Sequence, residues 1–229
     1  MRDWPAQHRR DRLFLILLFV AAASPGRATV VATNLGSGGA YGSGQYILQG
    51  NPIPGENVAQ SFAVSFTPTV SATLREIVLP LEDPFGSAFS IDVGVATDNS
   101  GAPGSIITTL TVNGTIPSAT SALVSFTCSS CPTLTAGQRY WIVTGASGST
   151  FLFWYWASSD TGGYDSNSNG SVNGPWFPSP YNTPAFQVDG DVTPAPTPAP
   201  GSLLLALAGS GSVGLYTAMK SLLKRNYRT

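Results

Sequence analysis

The chain has 229 residues, of which 42% are hydrophobic and only 10% are charged, whereas soluble domains average about 25% charged residues. Its 25 glycines and 18 prolines, in a background rich in Ser and Thr, argue against a helical bundle and favour short strands joined by turns. Between residues 29 and 193 two basic residues stand against ten acidic ones, a net charge of −8. This balance argues against a nucleic-acid partner, because phosphate binding needs clustered Lys and Arg.

The N-terminal segment has the three regions of a secretory signal peptide. A basic stretch that ends at Arg12 precedes the apolar run Leu13 to Ala23. Gly26 and Ala28 are small residues at the spacing that signal peptidase requires, so cleavage is predicted after Ala28. The alternative is an uncleaved membrane anchor, but eleven apolar residues are few for a bilayer span. Residues 1–28 are therefore predicted to be a helical signal peptide.

Residues 29–192 are predicted to form one all-β domain. The dominant period is two, as in Val58 to Phe66, where larger side chains alternate with Ala and Ser. Asp98 to Gly104 contains the Asp, Asn, Gly and Pro residues of a turn. About eight such strands indicate an antiparallel β-sandwich of jelly-roll type. The predicted strands are Val58 to Phe66, Leu74 to Leu81, Phe89 to Val95, Ile106 to Val112, Leu123 to Phe126, Tyr140 to Val143, Phe151 to Trp156 and Phe186 to Val188.

The two cysteines, Cys128 and Cys131, form a single CxxC pair. A redox-active pair would lie at the N-terminus of a helix, whereas this one follows the strand-like Leu123 to Thr127 and precedes Pro132. Export to an oxidising compartment therefore favours a local structural disulfide.

A short polar segment resembles the first half of a calcium loop. Asp165, Asn167 and Asn169 provide oxygen ligands at alternate positions before Gly170. The twelfth position of such a loop would be Trp176 instead of Glu, which leaves one carboxylate. These three residues are a weak candidate metal site, and a polar turn is the alternative.

Aromatic residues are dense between Tyr140 and Tyr181. In Phe151 to Trp156 both faces are apolar, which favours a core strand. Trp176, Phe177 and Tyr181 lie instead among Gly, Pro and Ser, the composition of a loop. Exposed aromatic rings near Asn and Asp suit stacking on sugar rings. These three residues are therefore candidate contacts for a glycan or an exopolysaccharide.

The C-terminal part of the chain has the composition of a membrane-sorting signal. Residues 193–200 form a Pro-rich spacer, which is stiff and extended. Residues 201–219 carry no charge, and as a helix they would rise about 28 Å, close to a membrane span. Residues 220–229 contain four basic residues, which predict a cytoplasmic tail.

This order of spacer, apolar helix and basic tail resembles the PEP-CTERM type of bacterial sorting signal. The matching triplet is Pro198, Ala199 and Pro200, in which Ala199 replaces the central Glu of the family motif. The resemblance implies that an exosortase-like enzyme processes the tail. It also implies that the C-terminal helix anchors the protein in the inner membrane until processing, after which the protein reaches the cell surface or the medium.

Several ordered pieces of the middle region resemble the choice-of-anchor R domain, a group of exported bacterial domains that occur with different C-terminal anchors. The resemblance covers Thr33 to Gly190. It implies an exported module for which a PEP-CTERM tail is an expected companion, and it brings no catalytic residues. The matching pieces are Asn34 to Gly44, Ala59 to Phe62, Val95 to Ile107, Leu134 to Val143 and Pro184 to Gly190.

The domain lacks the side chains that most catalytic sites use. The only histidine, His8, lies in the predicted signal peptide, and the domain has no Lys, which removes the usual general base, a Ser/Lys hydrolase and a Schiff-base mechanism. No cofactor is predicted. Paired carboxylates could by residue type serve a glycosidase, although Glu82 and Asp83 before Pro84 are more simply a solvated turn. The candidates are Glu76, Glu82, Asp83 and Asp92.

These features together predict an exported, non-enzymatic module that is associated with the cell surface or with an extracellular matrix. The class-distinct alternative is a carbohydrate- or exopolysaccharide-binding module. A glycoside-active enzyme is a more distant third. The expected processing partners are signal peptidase and an exosortase-like enzyme.

Overall fold

The structure, a computed structural model, describes most of the chain between residues 28 and 192. The predicted signal peptide up to Arg27 lies outside the described residues, as do the Pro-rich spacer, the apolar helix and the basic tail. Within the described part of the chain, no helix is long and apolar enough to cross a membrane. The described ranges are 28–50, 59–86, 90–159, 164–167 and 171–192.

The described residues form thirteen β-strands and one three-residue 3-10 turn at Ser37–Gly39, with no α-helix among them. The predicted all-β class is therefore confirmed. The strands are β1 (Ala28–Thr33), β2 (Tyr41–Gln49), β3 (Ser61–Phe66), β4 (Ala72–Glu82), β5 (Ile91–Asn99), β6 (Ala102–Asn113), β7 (Ala122–Thr127), β8 (Thr133–Leu134), β9 (Tyr140–Ala146), β10 (Phe151–Ala157), β11 (Tyr164–Asn167), β12 (Phe177–Ser179) and β13 (Gln187–Asp191).

All pairings between these strands are antiparallel, and the strands form one curled sheet. The sheet runs in the order β1-β13-β4-β7-β6-β5-β9-β3-β11-β12, while β10 pairs with β2 and β4, and β8 pairs with β4. Strand β6 joins the two halves, because it pairs with β5 along most of its length and with β7 at its end.

Both halves of the sheet contribute to one hydrophobic core. Alternation along each strand turns one set of side chains inward, so that Leu79 of β4 and Ile142 of β9 belong to the same buried cluster. Trp154 is fully buried in this core, and its Nε1 donates a hydrogen bond to the carbonyl oxygen of Ala185 at 2.7 Å. A buried indole N–H needs such a partner, so Trp154 fixes the segment before β13 to the core.

Each of the eight predicted strands overlaps a strand of the structure, but the predicted turn is too long. Strands β5 and β6 pair up to Asn99 and Ala102, and only Ser100 and Gly101 form the turn, with φ angles of 57° and 94°. Two central residues with positive φ are typical of the tight turn that matches the twist of a hairpin. Pro103 lies in β6 instead, paired with Asp98.

The strands that sequence reasoning missed are β1, β2, β8, β11 and β12. In β2, Gly42 and Gly44 hide the alternation, because glycine has no side chain to show which face it occupies. The structure explains why residue 44 is a glycine, because a Cβ atom there would lie 1.9 Å from Cε3 of Trp156. The Trp156 ring therefore packs directly on the backbone of β2.

Candidate functional site

A groove of about 340 Å³ lies between β2 on one side and β3, β11 and β12 on the other. We call it the aromatic groove. Curling of the sheet brings β2 and β3 together, and a pair of backbone hydrogen bonds joins Gln49 and Gln60 at 3.1 and 2.9 Å. The aromatic residues that line the groove are Tyr46, Phe62, Tyr164, Phe177 and Tyr181.

Three of these rings form the floor of the aromatic groove. The ring centroid of Tyr46 lies 4.9 Å from that of Phe62 and 4.6 Å from that of Tyr164. Phe62 and Tyr164 are buried and pack edge to face at 5.7 Å. These distances are those of favourable aromatic pairs, so the floor is a packed aromatic surface.

Two further rings form the rim. Phe177 is 59% exposed and Tyr181 is 68% exposed. Phe177 is held in place by β12, where it pairs with Ser166 of β11. Tyr181 follows β12 in a segment that is tied to the floor, because the Tyr46 hydroxyl donates a 2.6 Å hydrogen bond to the carbonyl oxygen of Asn182.

The polar residues that line the groove are Gln60, Ser166 and Ser179. They supply an amide and two hydroxyl groups, which both donate and accept hydrogen bonds. Within the part of the chain that the structure describes, no charged side chain lines the groove. The groove therefore combines stacking surfaces with neutral hydrogen-bonding groups, which is the chemistry of binding a neutral polar molecule.

The structure brings two of the three predicted glycan contacts together and separates the third from them. Phe177 and Tyr181 both line the aromatic groove, whereas half-buried Trp176 packs against a second hydrophobic cluster on the opposite face of the sheet. That cluster contains Trp141 of β9 and Ala63 of β3. Successive strand residues point to opposite faces, which is why neighbours in the sequence separate here.

Sequence reasoning missed the floor of the groove, Tyr46, Phe62 and Tyr164. Phe62 lay in a strand that was predicted, and its inward position follows from the period of two. Tyr46 and Tyr164 lie in β2 and β11, which were not predicted as strands. The sequence signal for these two residues was an aromatic ring in a segment rich in Gly and Ser. That signal does not indicate which strands lie next to each other in the fold.

Asp165, the first residue of the predicted metal site, lies in the middle of β11, where it pairs with Ala63 on one side and Pro178 on the other. It is buried, and burial raises the pKa of its carboxyl group. Asn167 is the last residue of β11, and Asn169 lies outside the described residues. In the described ranges no group of three or more His, Cys, Asp or Glu could hold a metal ion, and the metal site stays a prediction.

Two of the carboxylates considered for a glycosidase have structural partners. Glu82 accepts a short hydrogen bond from the hydroxyl of Tyr155, and burial together with this carboxylate raises the pKa of Tyr155 to about 12. Asp83 accepts hydrogen bonds from the backbone N–H groups of Phe85 and Gly86 at 3.0 and 2.9 Å. The predicted turn is thus present, but Asp83 is buried in it instead of solvated.

Cys128 and Cys131 are joined by a disulfide in the structure, with their Cα atoms 5.3 Å apart. The bridge closes a small loop between β7 and β8. It does not line the aromatic groove. The disulfide therefore links two residues within the loop between β7 and β8.

A second aromatic surface lies outside the groove, around β10. The ring of Phe151 lies 5.2 Å from that of Phe85 and 5.5 Å from that of Phe153. Phe85 is 71% exposed. This surface presents hydrocarbon rings on an open face and is not part of the 340 Å³ groove.

A comparison of the chain with family models, with curated proteins and with solved structures finds no match. The resemblance to the choice-of-anchor R domain and to the PEP-CTERM signal therefore rests on the sequence motifs.

Proposed function

We propose that this chain is an exported, non-enzymatic β-sandwich module of jelly-roll type that binds polysaccharide in its aromatic groove. The observation that carries the ligand class is the pairing of two strongly exposed rings, Phe177 and Tyr181, with a floor of packed aromatic rings. Sugar rings have apolar C–H faces and polar edges. A groove with stacking rings and neutral hydrogen-bonding side chains matches both.

The sandwich part of the proposal is supported by the shared core. Buried side chains from β4 and β7 in one half of the sheet and from β3, β5 and β9 in the other half form one cluster. Two sheet faces that bury their side chains against each other are the basis of a β-sandwich.

The export part of the proposal is supported by the order of segments along the chain. A basic and apolar N-terminal segment precedes the domain, and a Pro-rich spacer, an apolar segment and a basic tail follow it. We propose that signal peptidase cleaves after Ala28 and that an exosortase-like enzyme acts near Pro198 to Pro200. The destination is then the cell surface or the extracellular matrix, with anchoring in the inner membrane before processing.

The export route is tested by cell fractionation of tagged protein, followed by mass spectrometry of its two termini. We expect a mature N-terminus at Thr29 and, in the surface or extracellular fraction, a C-terminus near residues 198–201. An intact chain that remains in the cytoplasm would contradict export. An intact tail in the membrane fraction would contradict processing at the triplet.

Ligand binding is tested with the full chain in a detergent that has no sugar headgroup, by calorimetry against a panel of soluble polysaccharides. Phe177→Ala and Tyr181→Ala should each weaken binding about tenfold, equivalent to about 1.4 kcal/mol. Phe85→Ala is the matched control, because it removes an equally exposed ring outside the groove. Equal losses in all three variants would exclude the groove as the binding site.

A further inference from the structure

Among the described residues, no basic side chain lines the aromatic groove to pair with an acidic ligand. Its polar lining consists of Gln60, Ser166 and Ser179, all neutral. In the described part of the chain the basic residues are Arg75 and Arg139. Arg75 belongs to β4 and forms an ion pair with Asp191 at 3.5 Å, and Arg139 is an exposed residue just before β9. Neither lines the groove.

The domain that contains the groove has an acidic net charge. Between residues 29 and 193, ten carboxylates stand against those two arginines. A surface with this balance repels anions and lowers their rate of association, and a carboxylate or sulfate that enters a site without a donor cation loses hydration without gaining an ion pair. An acidic polysaccharide is therefore disfavoured at long range and on contact.

The carboxylate nearest in sequence to the lining residues does not face the groove. Tyr164 and Ser166 line it, and Asp165 between them points to the opposite face, because side chains alternate along β11. Asp165 is buried there beside Ala63 of β3. The described lining residues thus carry neither a positive nor a negative charge, and Asp165 of β11 is not placed to bind a cationic sugar.

From this arrangement we infer that the aromatic groove selects neutral polysaccharide and discriminates against acidic polysaccharide. This inference rests on the proposed function and names its ligand class. The aromatic rings stack on the C–H faces of the sugars, while the amide and hydroxyl groups bond the sugar hydroxyls. Because this binding mode uses no ion pair, its affinity depends little on salt.

The test compares polysaccharides that share a backbone and differ in charge. Hydroxyethyl cellulose and dextran serve as neutral probes, and carboxymethyl cellulose and dextran sulfate, which have the same two backbones, serve as their acidic counterparts. Binding to the full chain in sugar-free detergent is measured at 50 and 500 mM NaCl. The same series is repeated with Tyr181→Ala and with the control Phe85→Ala.

We expect at least one neutral probe to bind, with its acidic counterpart binding at least tenfold more weakly at 50 mM NaCl. Raising the salt should change the neutral affinity by less than twofold, and Tyr181→Ala should weaken it about tenfold while Phe85→Ala leaves it unchanged. Acidic probes that bind as tightly as neutral ones, with the same loss in Tyr181→Ala, would overturn the selectivity and leave the proposed function standing. Failure of every probe to bind would overturn the proposed function itself.

Discussion

The strongest structural prediction concerns Asn34, a buried residue that follows β1 and holds the segment before β13. Its Nδ2 donates to the carbonyl oxygen of Pro184 at 2.9 Å, and its Oδ1 accepts from the backbone N–H of Phe186 at 2.7 Å. Asn34→Ala removes the side-chain partner of both groups. The backbone N–H of Phe186 and the carbonyl oxygen of Pro184 are then buried without a hydrogen bond. Each such group costs about 1–3 kcal/mol, so we expect a loss of about 3 kcal/mol of stability.

This loss is measured by urea unfolding of the full chain, with tryptophan fluorescence as the signal, since Trp154 is fully buried and its indole bonds to the same segment. In a thermal scan the melting temperature should fall by about 6–12 °C. Asn113→Ala, an exposed position at the end of β6, is the matched control. A change at Asn34 of less than about 0.5 kcal/mol, as is usual for surface substitutions, would refute the reasoning.

Asn34→Asp separates the two hydrogen bonds. An ionised carboxylate can still accept from Phe186 but cannot donate to Pro184, whose carbonyl oxygen it would face with a negative charge. The pKa of the new carboxyl group should therefore be higher in the folded than in the unfolded protein. The variant should be destabilised at pH 7 and should recover part of its stability as the pH falls towards 4, because the protonated group can donate again. Equal destabilisation at both pH values would contradict this assignment.

Three further predictions concern other parts of the fold. Tyr155→Phe should lower the free energy of unfolding by about 1–2 kcal/mol, because Glu82 loses its hydrogen-bond donor. In the wild type, an ultraviolet titration should show a tyrosine with a pKa of about 12. The stabilisation by Tyr155 should persist below pH 10 and disappear as the pH rises through the pKa of Tyr155 in the folded protein. Asp165→Asn should stabilise the protein at neutral pH, since burial raises the pKa of Asp165 and disfavours its charged form. The gain in the free energy of unfolding, measured with urea, should shrink as the pH falls below the pKa of Asp165 in the folded protein. A gain that does not change with pH would count against burial as the cause. Gly44→Ala should destabilise the fold by about 1–3 kcal/mol, because the added Cβ would lie 1.9 Å from the Trp156 ring. An unchanged near-ultraviolet circular dichroism spectrum and an unchanged melting temperature would argue against this packing.

Much of the strand content was predictable because the period of two is a local property. In Ser61 to Phe66 the alternation predicts which residues share a face, and the structure places Phe62, Val64 and Phe66 together in the main core. Ala63 on the other face is also buried, in the second hydrophobic cluster. The turn at Ser100 and Gly101 was likewise visible in its residue types. Strand β2 was not predicted, since Gly42 and Gly44 carry no information about faces.

The error in the length of that turn and the place of Asp165 have a common physical reason. Pro103 looks like a turn residue but lies in β6 opposite Asp98, and Asp165 looks like a ligand in a loop but lies in a strand beside Ala63. In both cases pairing with a neighbouring strand overrides the local preference of the residue. The composition of a short segment does not reveal which strand the segment pairs with.

The sequence by itself determined the all-β class, the acidic balance of the domain and the lack of His and Lys, because each of these depends on composition or on a repeat of two residues. Only the tertiary structure decided that Tyr46, Phe62, Tyr164, Phe177 and Tyr181 share one groove. Tyr46 and Phe62 are far along the chain from Tyr164, Phe177 and Tyr181, and the curling of the sheet brings the two groups together. Trp176 packs in a hydrophobic cluster on the opposite face instead of lining the groove, because neighbouring side chains along an extended segment point to opposite faces.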